Sequence, residues 1–499
     1  MKIIRDLIHG YIEINDIEER IINTLNFQRL KDVSQLTCQH LYPSATHTRF
    51  EHSLGVMALA KKAFSSLQKQ LKEKGVDDDT YKKLHDNLSI AALLHDIGHA
   101  PYSHLGEKYY RRNEIIDKLN RAIDHRKINI DKSIFSKNGS KHELMSCYIL
   151  LMKYYELLLE NFKDLLVIEL IFRCIIGATY PNKSERWLEN ICIQILNSGT
   201  IDTDKLDYIM RDSYMTGISV PTIDTARLFY NIKINPKDNN VTFEDRALHV
   251  IQNIIDTRDF LYLWVYNHHT VVYTDFLIEF YIKHLIANFE KNKFIDNMDP
   301  NDYFSCEAIC NRLSSDSDLF AKLKEPILKI DYIEVSKYTK NILPQLYQRK
   351  FLKPIWKTLY EYNNYLKYEI KDEQLIELLQ ERMCDEDYCY RRYVVKEIIK
   401  RLNLNLGDVF IVPRSNKFYS LNVKNTFWIQ CQGNNMKIDS LLPQRDFKRY
   451  YNDVAFYVYG KKEKIEEIKK CFFDIVKEGL PNKENLPDDA TVIDWFNYK

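Results

Sequence analysis

Apolar residues recur at helical spacing through most of the first 400 residues, and this periodicity most constrains the fold. Glycine and proline, which interrupt helices, number only 13 each among 499 residues. Strand-forming patterns come later, in DVFIVPRSNKFYSL, NTFWIQCQG and DVAFYVYG, and residues 461–478 then show an amphipathic helical pattern. The sequence therefore predicts a mainly α-helical protein with a small α+β region near its C-terminal end.

Two regions follow from these patterns. Residues 1–403 are predicted to be largely helical, with 286–403 as a helical extension of a core, and 404–499 to form a small α+β domain. The polar, charge-mixed stretch 111–141 is interpreted as an insertion or lid in the core. Basic and aromatic residues alternate within 286–403, which favours amphipathic helices covering the core or an oligomer interface. That pattern is compatible with nucleic-acid binding but does not require it.

Charge and composition exclude several function classes. Lys and Arg total 71 and Asp and Glu total 70, so the net charge of +1 provides no general attraction for polyanions. The chain contains no glycine-rich phosphate loop of either common kind, which argues against P-loop and dinucleotide-fingerprint enzymes. The most apolar stretch, 165–180, is interrupted by Glu169 and Arg173, and the first ten residues lack the apolar segment of a signal peptide. We expect a cytoplasmic protein without membrane contact.

Histidines cluster in two motifs. In THTRFEHSLGV, Arg49 and His52 share a helix face if a helix begins near Arg49. In ALLHDIGHAPYSH, the apolar run before His95 and Asp96 predicts that this pair lies at the end of a buried helix. A mixed imidazole and carboxylate set suits a divalent ion, and Mn, Fe, Mg, Zn and Ni all remain candidates. The His-Asp dipeptide alone would be weak evidence.

Two further motifs place polar and aromatic side chains four residues apart, which stacks them on one helix face. IDTDKLDYIMRD contains Asp204, Tyr208 and Asp212 at this spacing. A solvated face is the alternative interpretation, but it gives no reason for a tyrosine within an acidic stripe. DTRDFLYLWVYNHH contains Arg258, Tyr262 and Tyr266, and one cation with two aromatic rings suits phosphates and a sugar.

Taken together, the motifs resemble those of the HD-domain phosphohydrolases and, within them, the deoxynucleoside triphosphate triphosphohydrolases. FQRLKDVSQL, YPSATHTRFEHSLGV, HDIGHAPYSH, KHELMS and IDTDKLDYIMRDSYMTG occur in the order and nearly the spacing of that family, between about residues 4 and 285. The resemblance implies that residues 1–285 form an HD-domain catalytic core. It also implies a divalent metal ion and deoxynucleoside triphosphates as ligands.

The resemblance assigns roles residue by residue. The implied metal ligands are His52, His95, Asp96 and Asp204. The implied catalytic residues are His104, His99, His142 and Glu107, with His104 as our candidate proton donor. The implied substrate-binding residues are Gln35, Arg49, Lys205, Tyr208, Asp212, Arg258, Tyr262 and Tyr266.

The sequence departs from the family pattern at several positions. Glu107, one methylene longer, stands where close relatives carry an aspartate that contacts an active-site histidine. Tyr262 stands where vertebrate relatives carry histidine. Asn23 and Lys31 replace an aspartate and an arginine that some relatives use at a nucleotide-activated tetramer site. We therefore expect guanine-nucleotide activation of that kind to be absent or altered.

The expected reaction converts a deoxynucleoside triphosphate into deoxynucleoside and inorganic triphosphate, and so controls or depletes nucleotide pools, including in phage defence. A homo-oligomer, whether dimer, tetramer or hexamer, is expected. Two alternatives stay open at this point. One is an HD-family nucleotidase or phosphodiesterase acting on other nucleotides, and the other is a nucleotide-sensing regulatory protein.

Overall fold

The structure is a computed structural model that describes residues 2–182, 184–198, 201–291, 297–329, 337–385, 389–414, 428–431, 434–437, 441 and 454–481. It is mainly α-helical, which confirms the predicted fold class.

The helices of the first half of the chain are α1 (Asp16–Ile22), α2 (Leu25–Gln28), α3 (Arg49–Ser66), α4 (Gln68–Glu73), α5 (Asp78–Leu94), α6 (His104–Glu107), α7 (Arg112–His125), α8 (Ser133–Lys137), α9 (Lys141–Ile149), α10 (Tyr155–Phe162), α11 (Leu166–Ile176), α12 (Trp187–Leu196), α13 (Thr203–Thr216), α14 (Thr225–Tyr230) and α15 (Leu248–Leu261). Those of the second half are α16 (His269–Lys291), α17 (Asn301–Phe304), α18 (Cys306–Cys310), α19 (Asp316–Lys329), α20 (Lys337–Gln348), α21 (Leu359–Glu369), α22 (Glu373–Cys384), α23 (Cys389–Leu402) and α24 (Ile465–Glu478). The strands are β1 (Lys2–Asp6), β2 (Gly10–Ile14), β3 (Ile232–Ile234), β4 (Val241–Glu244), β5 (Lys353–Pro354), β6 (Val409–Pro413), β7 (Trp428–Cys431), β8 (Asn434–Lys437) and β9 (Phe456–Gly460).

The chain divides into two compact units. The first comprises Met1–Tyr262, Pro300–Leu319 and Tyr419–Gln444, and the second comprises Leu263–Asp299, Phe320–Phe418 and Arg445–Lys499. The predicted domains, divided at residues 285 and 403, are each continuous in sequence. The observed units are not, because each combines segments that are distant in sequence.

Helix α3 is central to the first unit and packs against α5, α12 and α13. It begins where predicted, at Arg49, because Thr48 and Glu51 form a capping box that satisfies the first backbone N–H groups. Helix α5 is capped by Asp77 and ends at Leu94, and its last residues, Leu88–Leu94, are buried. This confirms that the His-Asp pair follows a buried helix.

Among the described residues, two sheets belong to the first unit. Strands β1 and β2 form an antiparallel hairpin. The second sheet has the order β3-β4-β7-β8, in which β4 and β7 are parallel and Phe243 is opposite Ile429. The structure differs here from the single α+β domain predicted for 404–499, because β7 and β8 complete a sheet whose other strands lie nearly 200 residues earlier. A strand pattern in sequence does not specify its pairing partner.

The second unit contains the other predicted strands. Strand β9 pairs antiparallel with both β5 and β6. Helix α24 buries its apolar face, which confirms the amphipathic helix predicted at 461–478, and a short 3-10 turn precedes it. Trp356, Phe456 and Phe472 pack edge to face in the core beside this sheet. Buried Trp356 donates its ring N–H to the carbonyl oxygen of Phe456 at 2.9 Å.

The stretch 111–141, interpreted as an insertion or lid, contains helices α7 and α8. Ile115, Leu119, Ile123 and Phe135 from these helices are buried. Helix α7 also packs against α9, which carries His142. These apolar residues therefore belong to the packed interior of the first unit.

Across the described ranges, no helix has the length and apolar character needed to span a membrane. The cytoplasmic location stays a prediction.

Candidate metal centre and active site

The first turn of α3 contributes Arg49 and His52, and both side chains are buried. The end of α5 contributes His95 and Asp96. Nδ1–H of His95 donates to the carbonyl oxygen of Ala92 at 2.7 Å, which directs Nε2 away from the helix. Asp204 lies in the first turn of α13, and the side chain of Asp202 caps the N-terminus of this helix. Three helix ends therefore carry the four predicted metal ligands.

The four side chains meet. Nε2 of His52 lies 3.0 Å from Oδ1 of Asp204 and 3.5 Å from Oδ2 of Asp96. Nε2 of His95 lies 3.4 Å from Oδ1 of Asp96 and 3.7 Å from Oδ1 of Asp204. Ligands about 2.1 Å from one metal ion are about 3.0 Å apart in octahedral geometry and about 3.4 Å apart in tetrahedral geometry. The observed spacing fits a shared divalent ion.

The chemistry of His95 supports the same conclusion. Its Nε2 is buried and has no hydrogen-bond partner among the described residues. When Nδ1 carries the proton, Nε2 presents a lone pair towards two carboxylates, and an uncompensated arrangement of this kind is costly in a buried site. A cation bound between these groups removes that cost. His52, His95 and Asp96 are thus positioned to hold a divalent metal ion, and the carboxylate of Asp204 lies beside them.

Protons occupy part of this centre when metal is absent. Burial opposes protonation of His52, but hydrogen bonds to Asp204 and Asp207 outweigh it and raise the pKa of His52 to about 10. Burial also opposes protonation of His95, whose pKa is nevertheless raised by the charge of Asp96. Metal binding requires both ligand nitrogens to be unprotonated, so the ion replaces these protons.

A second layer of contacts orients His52. Its Nδ1 lies 2.8 Å from Oδ2 of Asp207, and that carboxylate also lies 2.5 Å from Nε2 of His9 and accepts from Arg211 at 2.9 Å. A carboxylate on the far ring nitrogen fixes the tautomer that leaves Nε2 for the metal. Gly55 permits this approach, because a Cβ there would lie 1.9 Å from Oδ1 of Asp207.

Beside the metal centre lies a cluster of His99, His104, Glu107 and His142, whose ligand atoms are all within 4.8 Å of one another. Glu107 is its hub, with carboxylate oxygens 2.5 Å from Nδ1 of His99, 2.9 Å from Nδ1 of His142 and 3.4 Å from Nδ1 of His104. Glutamate in place of aspartate therefore still reaches the histidines.

The histidines of this cluster differ in charge. Burial and the charge of Arg49 lower the pKa of His99 to about 4, so it is neutral near pH 7. Burial opposes protonation of His142, but Glu107 raises its pKa to about 9. His99 also lies 3.1 Å from Asp96, which links the cluster to the metal centre. The side chain of His104 is 67% exposed and can therefore reach a substrate.

Arg49 connects the metal centre to the turn before His104. Its Nη1 donates to Oδ2 of Asp96 at 2.7 Å, and its Nε donates to Oγ of Ser103 at 3.0 Å. Tyr102 and Ser103 have φ values of 56° and 48°, a region that costs a non-glycine residue about 1 to 3 kcal/mol. The surrounding contacts must compensate for this strain.

The remaining predicted substrate residues divide into two groups. Oη of half-buried Tyr208 accepts from Nε of Arg258 at 3.2 Å, and the Arg258 guanidinium lies 5.1 Å from the ring of Tyr262. Asp212 lies 2.7 Å from Nε2 of His47. The backbone N–H of Gln35 donates to the carbonyl oxygen of His47, so these three residues are linked.

Lys205 and Tyr266 are the last two of the predicted substrate residues. Lys205 donates to the carbonyl oxygen of Ser198 at 2.7 Å and forms an ion pair with Asp202. The Lys205 ammonium group therefore makes its contacts at the N-terminus of α13. Tyr266 ends the π-helical turn Tyr262–Tyr266 and belongs to the second unit, so its substrate role stays a prediction.

Sequence reasoning missed three residues. Asp207 lies within IDTDKLDYIMRD, but it is three residues after Asp204 and so falls outside the four-residue spacing of Asp204, Tyr208 and Asp212. His47 lies in the first histidine motif, two residues before Arg49. His9 lies in the tight turn between β1 and β2, and no sequence signal links it to a helix about 200 residues later.

Part of the chain matches a known protein domain. Residues 49–149 match the family model of the HD domain. These residues therefore form an HD domain. This HD-domain chain is 32% identical over 281 residues to the deoxynucleoside triphosphate triphosphohydrolase SAMHD1 homolog of Dictyostelium discoideum, covering 56% of this chain and 48% of that protein. It is 28% identical over 359 residues to the uncharacterized protein MG461 homolog of Mycoplasma pneumoniae, covering 70% of this chain and 73% of that one.

Solved structures share the fold of the HD-domain chain over most of its length. A phosphohydrolase of Bacteroides thetaiotaomicron superposes with a TM-score of 0.60 at 20% identity, covering 93% of this chain and all of that one. A hypothetical protein of Aquifex aeolicus gives a TM-score of 0.61 at 19% identity. The sequence match to the Dictyostelium triphosphohydrolase spans about half of that protein's length. The HD-domain match and the metal centre together support a phosphohydrolase.

Proposed function

We propose that this HD-domain protein hydrolyses deoxynucleoside triphosphates to deoxynucleosides and inorganic triphosphate. The observation that carries the proposal is the convergence of His52, His95, Asp96 and Asp204 beside the histidine and glutamate cluster around Glu107. The relatives named as deoxynucleoside triphosphate triphosphohydrolases support this choice of substrate. Pool control or depletion, including in phage defence, and assembly into a homo-oligomer belong to the same proposal.

A bound divalent ion would supply Lewis-acid polarisation of a phosphoryl oxygen and an acidified water. The chain's own residues prepare the site for a highly charged substrate. Arg49 holds Asp96 through Nη1 and brings a guanidinium charge to the metal centre, where phosphate oxygens would gather. Arg258, held by Tyr208 at 3.2 Å, is the second cation assigned to the phosphates.

In the proposed reaction, water attacks the α-phosphorus, the bond from that phosphorus to the 5′-oxygen breaks, and triphosphate retains the phosphorus. The leaving 5′-oxygen needs a proton, which we assign to His104 because its side chain is exposed beside Glu107. His99 is unsuited to this role, since its pKa of about 4 leaves it neutral. The His142 and Glu107 ion pair instead holds the cluster in place.

Sugar recognition is assigned to the group around Asp212. Oε1 of Gln35 and Nδ1 of His47 are buried without hydrogen-bond partners among the described residues. Buried polar atoms of this kind are stabilised when a ligand hydroxyl supplies the missing bond. We assign them, with Asp212, to the 3′-hydroxyl. Packing of Tyr208 against the sugar would exclude a 2′-oxygen, which favours deoxyribonucleotides.

The decisive experiment is product identification. Purified full-length protein is incubated with each of the four deoxynucleoside triphosphates and with ATP and GTP, in Mn²⁺ or Mg²⁺, and products are separated by ion exchange. Equal amounts of deoxynucleoside and inorganic triphosphate are expected, with little ribonucleotide turnover. Monophosphate with pyrophosphate, or no turnover of any deoxynucleotide, would refute the proposal. The variant carrying both His95→Ala and Asp96→Ala should lose bound metal and turnover together.

A further inference from the structure

The turn that precedes His104 is held by a residue from a distant part of the chain. Its two central residues, Tyr102 and Ser103, have positive φ values. Non-glycine residues keep such a conformation only where their surroundings fix it. Since α6 begins at His104, directly after Ser103, the geometry of this turn sets where the imidazole lies.

Asp316, the first residue of α19, supplies the fixing contacts. The backbone N–H of Tyr102 donates to Oδ1 of Asp316 at 2.6 Å, and the backbone N–H of Ser34 donates to Oδ2 at 2.9 Å. The Asp316 side chain is buried. Ser103 completes the link, because its hydroxyl donates to the carbonyl oxygen of Ser34 at 2.6 Å. One carboxylate thus ties two separate loops together.

The segment carrying Asp316 is itself anchored. Oδ2 of Asp32 accepts from the hydroxyl of Ser315 at 2.6 Å, and Oδ1 accepts from that of Ser317 at 2.8 Å. Buried Arg29 donates to the carbonyl oxygen of Ser314 at 2.7 Å. The same guanidinium donates to the carbonyl oxygens of Ile97 and His99, in the loop after the metal ligands. These contacts therefore fix the position of Asp316 relative to the active-site loop that follows the metal ligands.

We infer that Asp316 is a positioning residue that holds the Tyr102–Ser103 turn so that His104 faces the substrate. The inference rests on the proposed function, in which His104 donates the proton. A carboxylate is required because both partners are N–H donors. Asparagine at this position offers one acceptor oxygen and places an NH₂ group against the second N–H, so one of the two ties is lost.

The test compares Asp316→Asn with Asp302→Asn, a matched control in the same segment. Asp302 forms an exposed ion pair with Arg312 at 2.8 Å. Asp316→Asn is expected to lower kcat about 10-fold to 100-fold with little change in KM, since small displacements of a reacting group cost rates of this order. Bound Mn²⁺ should be unchanged, because none of the four ligands lies in the turn. Asp302→Asn should match wild type in all respects.

A spectroscopic readout separates this inference from the proposed function. In protein with ¹³C-labelled histidine, the His104 ring signal is assigned by its absence from His104→Gln. Asp316→Asn should shift that signal and leave those of His52 and His95 in place. An unshifted signal with unchanged kcat overturns the positioning role, whereas wild-type protein without deoxynucleotide turnover overturns the proposed function alone.

A milder variant keeps the inference testable if Asp316→Asn does not fold. The pair Ser315→Ala and Ser317→Ala loosens the anchor to Asp32 and leaves Asp316 intact. It should shift the His104 signal in the same direction as Asp316→Asn and reduce kcat by a smaller factor. Wild-type values of both quantities in this variant would also contradict the inference.

Discussion

Lowering the pH is expected to weaken binding of a divalent ion about tenfold per pH unit, because one proton competes with the ion for Nε2 of His52. The pKa of His52 is raised to about 10 in the metal-free centre, despite its burial, by Asp204 and Asp207. His52 is therefore protonated throughout the range from pH 6 to pH 8. Over these two units the expected loss is about 100-fold in affinity, or about 2.7 kcal/mol. Protonation of His95, whose pKa is also raised, would steepen the dependence.

Isothermal titration of the metal-free protein with Mn²⁺ at pH 6, 7 and 8 measures this dependence. Two buffers of different ionisation enthalpy at each pH give the number of protons released. We expect the release of at least one proton per ion at pH 7. An affinity that changes less than about threefold between pH 6 and pH 8, with no proton release, would refute the reasoning about His52.

Two variants of α13 provide the control. Asp207→Asn removes the charge that lies 2.8 Å from Nδ1 of His52, so the pKa of His52 should fall and the pH dependence should flatten. Asp212→Asn changes another buried carboxylate of the same helix, which lies 2.7 Å from Nε2 of His47. It should keep the wild-type pH dependence of metal binding and raise KM for the nucleotide.

Three further predictions concern stability and packing. Gly55→Ala should lower the free energy of unfolding by about 1 to 3 kcal/mol and weaken Mn²⁺ binding, because the new Cβ would lie 1.9 Å from Oδ1 of Asp207. Urea unfolding measures the first effect and metal titration the second. A variant with wild-type stability and wild-type Mn²⁺ affinity would contradict the close approach. Arg29→Met leaves three buried carbonyl groups without their donor, which should lower the free energy of unfolding by about 1 to 3 kcal/mol. Arg20→Met, which removes an exposed ion pair, is the control and should leave the free energy of unfolding unchanged. The ion pair between His142 and Glu107 raises the pKa of His142 to about 9, so it should stabilise metal-free protein fully below pH 6.5 and cease to do so between pH 6.5 and 9. Glu107→Gln should therefore be less stable than wild type by at most about 3 kcal/mol at pH 6, and urea unfolding at pH 6 and 9.5 should show the difference narrowing; a difference independent of pH would exclude this cause.

Local features of the sequence predicted much of the metal centre. The capping residues Thr48 and Glu51 fix the start of α3, and the apolar run before His95 marks the buried end of α5. Helical spacing likewise placed Asp204, Tyr208 and Asp212 along α13. Each of these features depends on backbone geometry within a few residues, which is why the sequence suffices for them.

Contacts across long sequence separations could not be predicted in this way. No local pattern indicates that His9 meets Asp207, or that Asp316 reaches Tyr102 and Ser34. The sequence around Ile429 predicts a strand, but only the structure shows that this strand pairs with β4 and belongs to the first unit. Such pairings depend on which buried surfaces fit together after the helices have packed.

The sequence by itself determined the mainly helical architecture, the HD-domain motifs and which residue types could hold a divalent ion, because helix formation, capping and ligand chemistry are local properties. The tertiary structure decided what surrounds those ligands. It placed Asp207 behind His52, linked Glu107 to three histidines and brought Asp316 to the turn before His104. These contacts set the charge and orientation of the imidazoles, since the pKa of a buried group depends on the charges and hydrogen bonds that folding brings within a few ångströms of it.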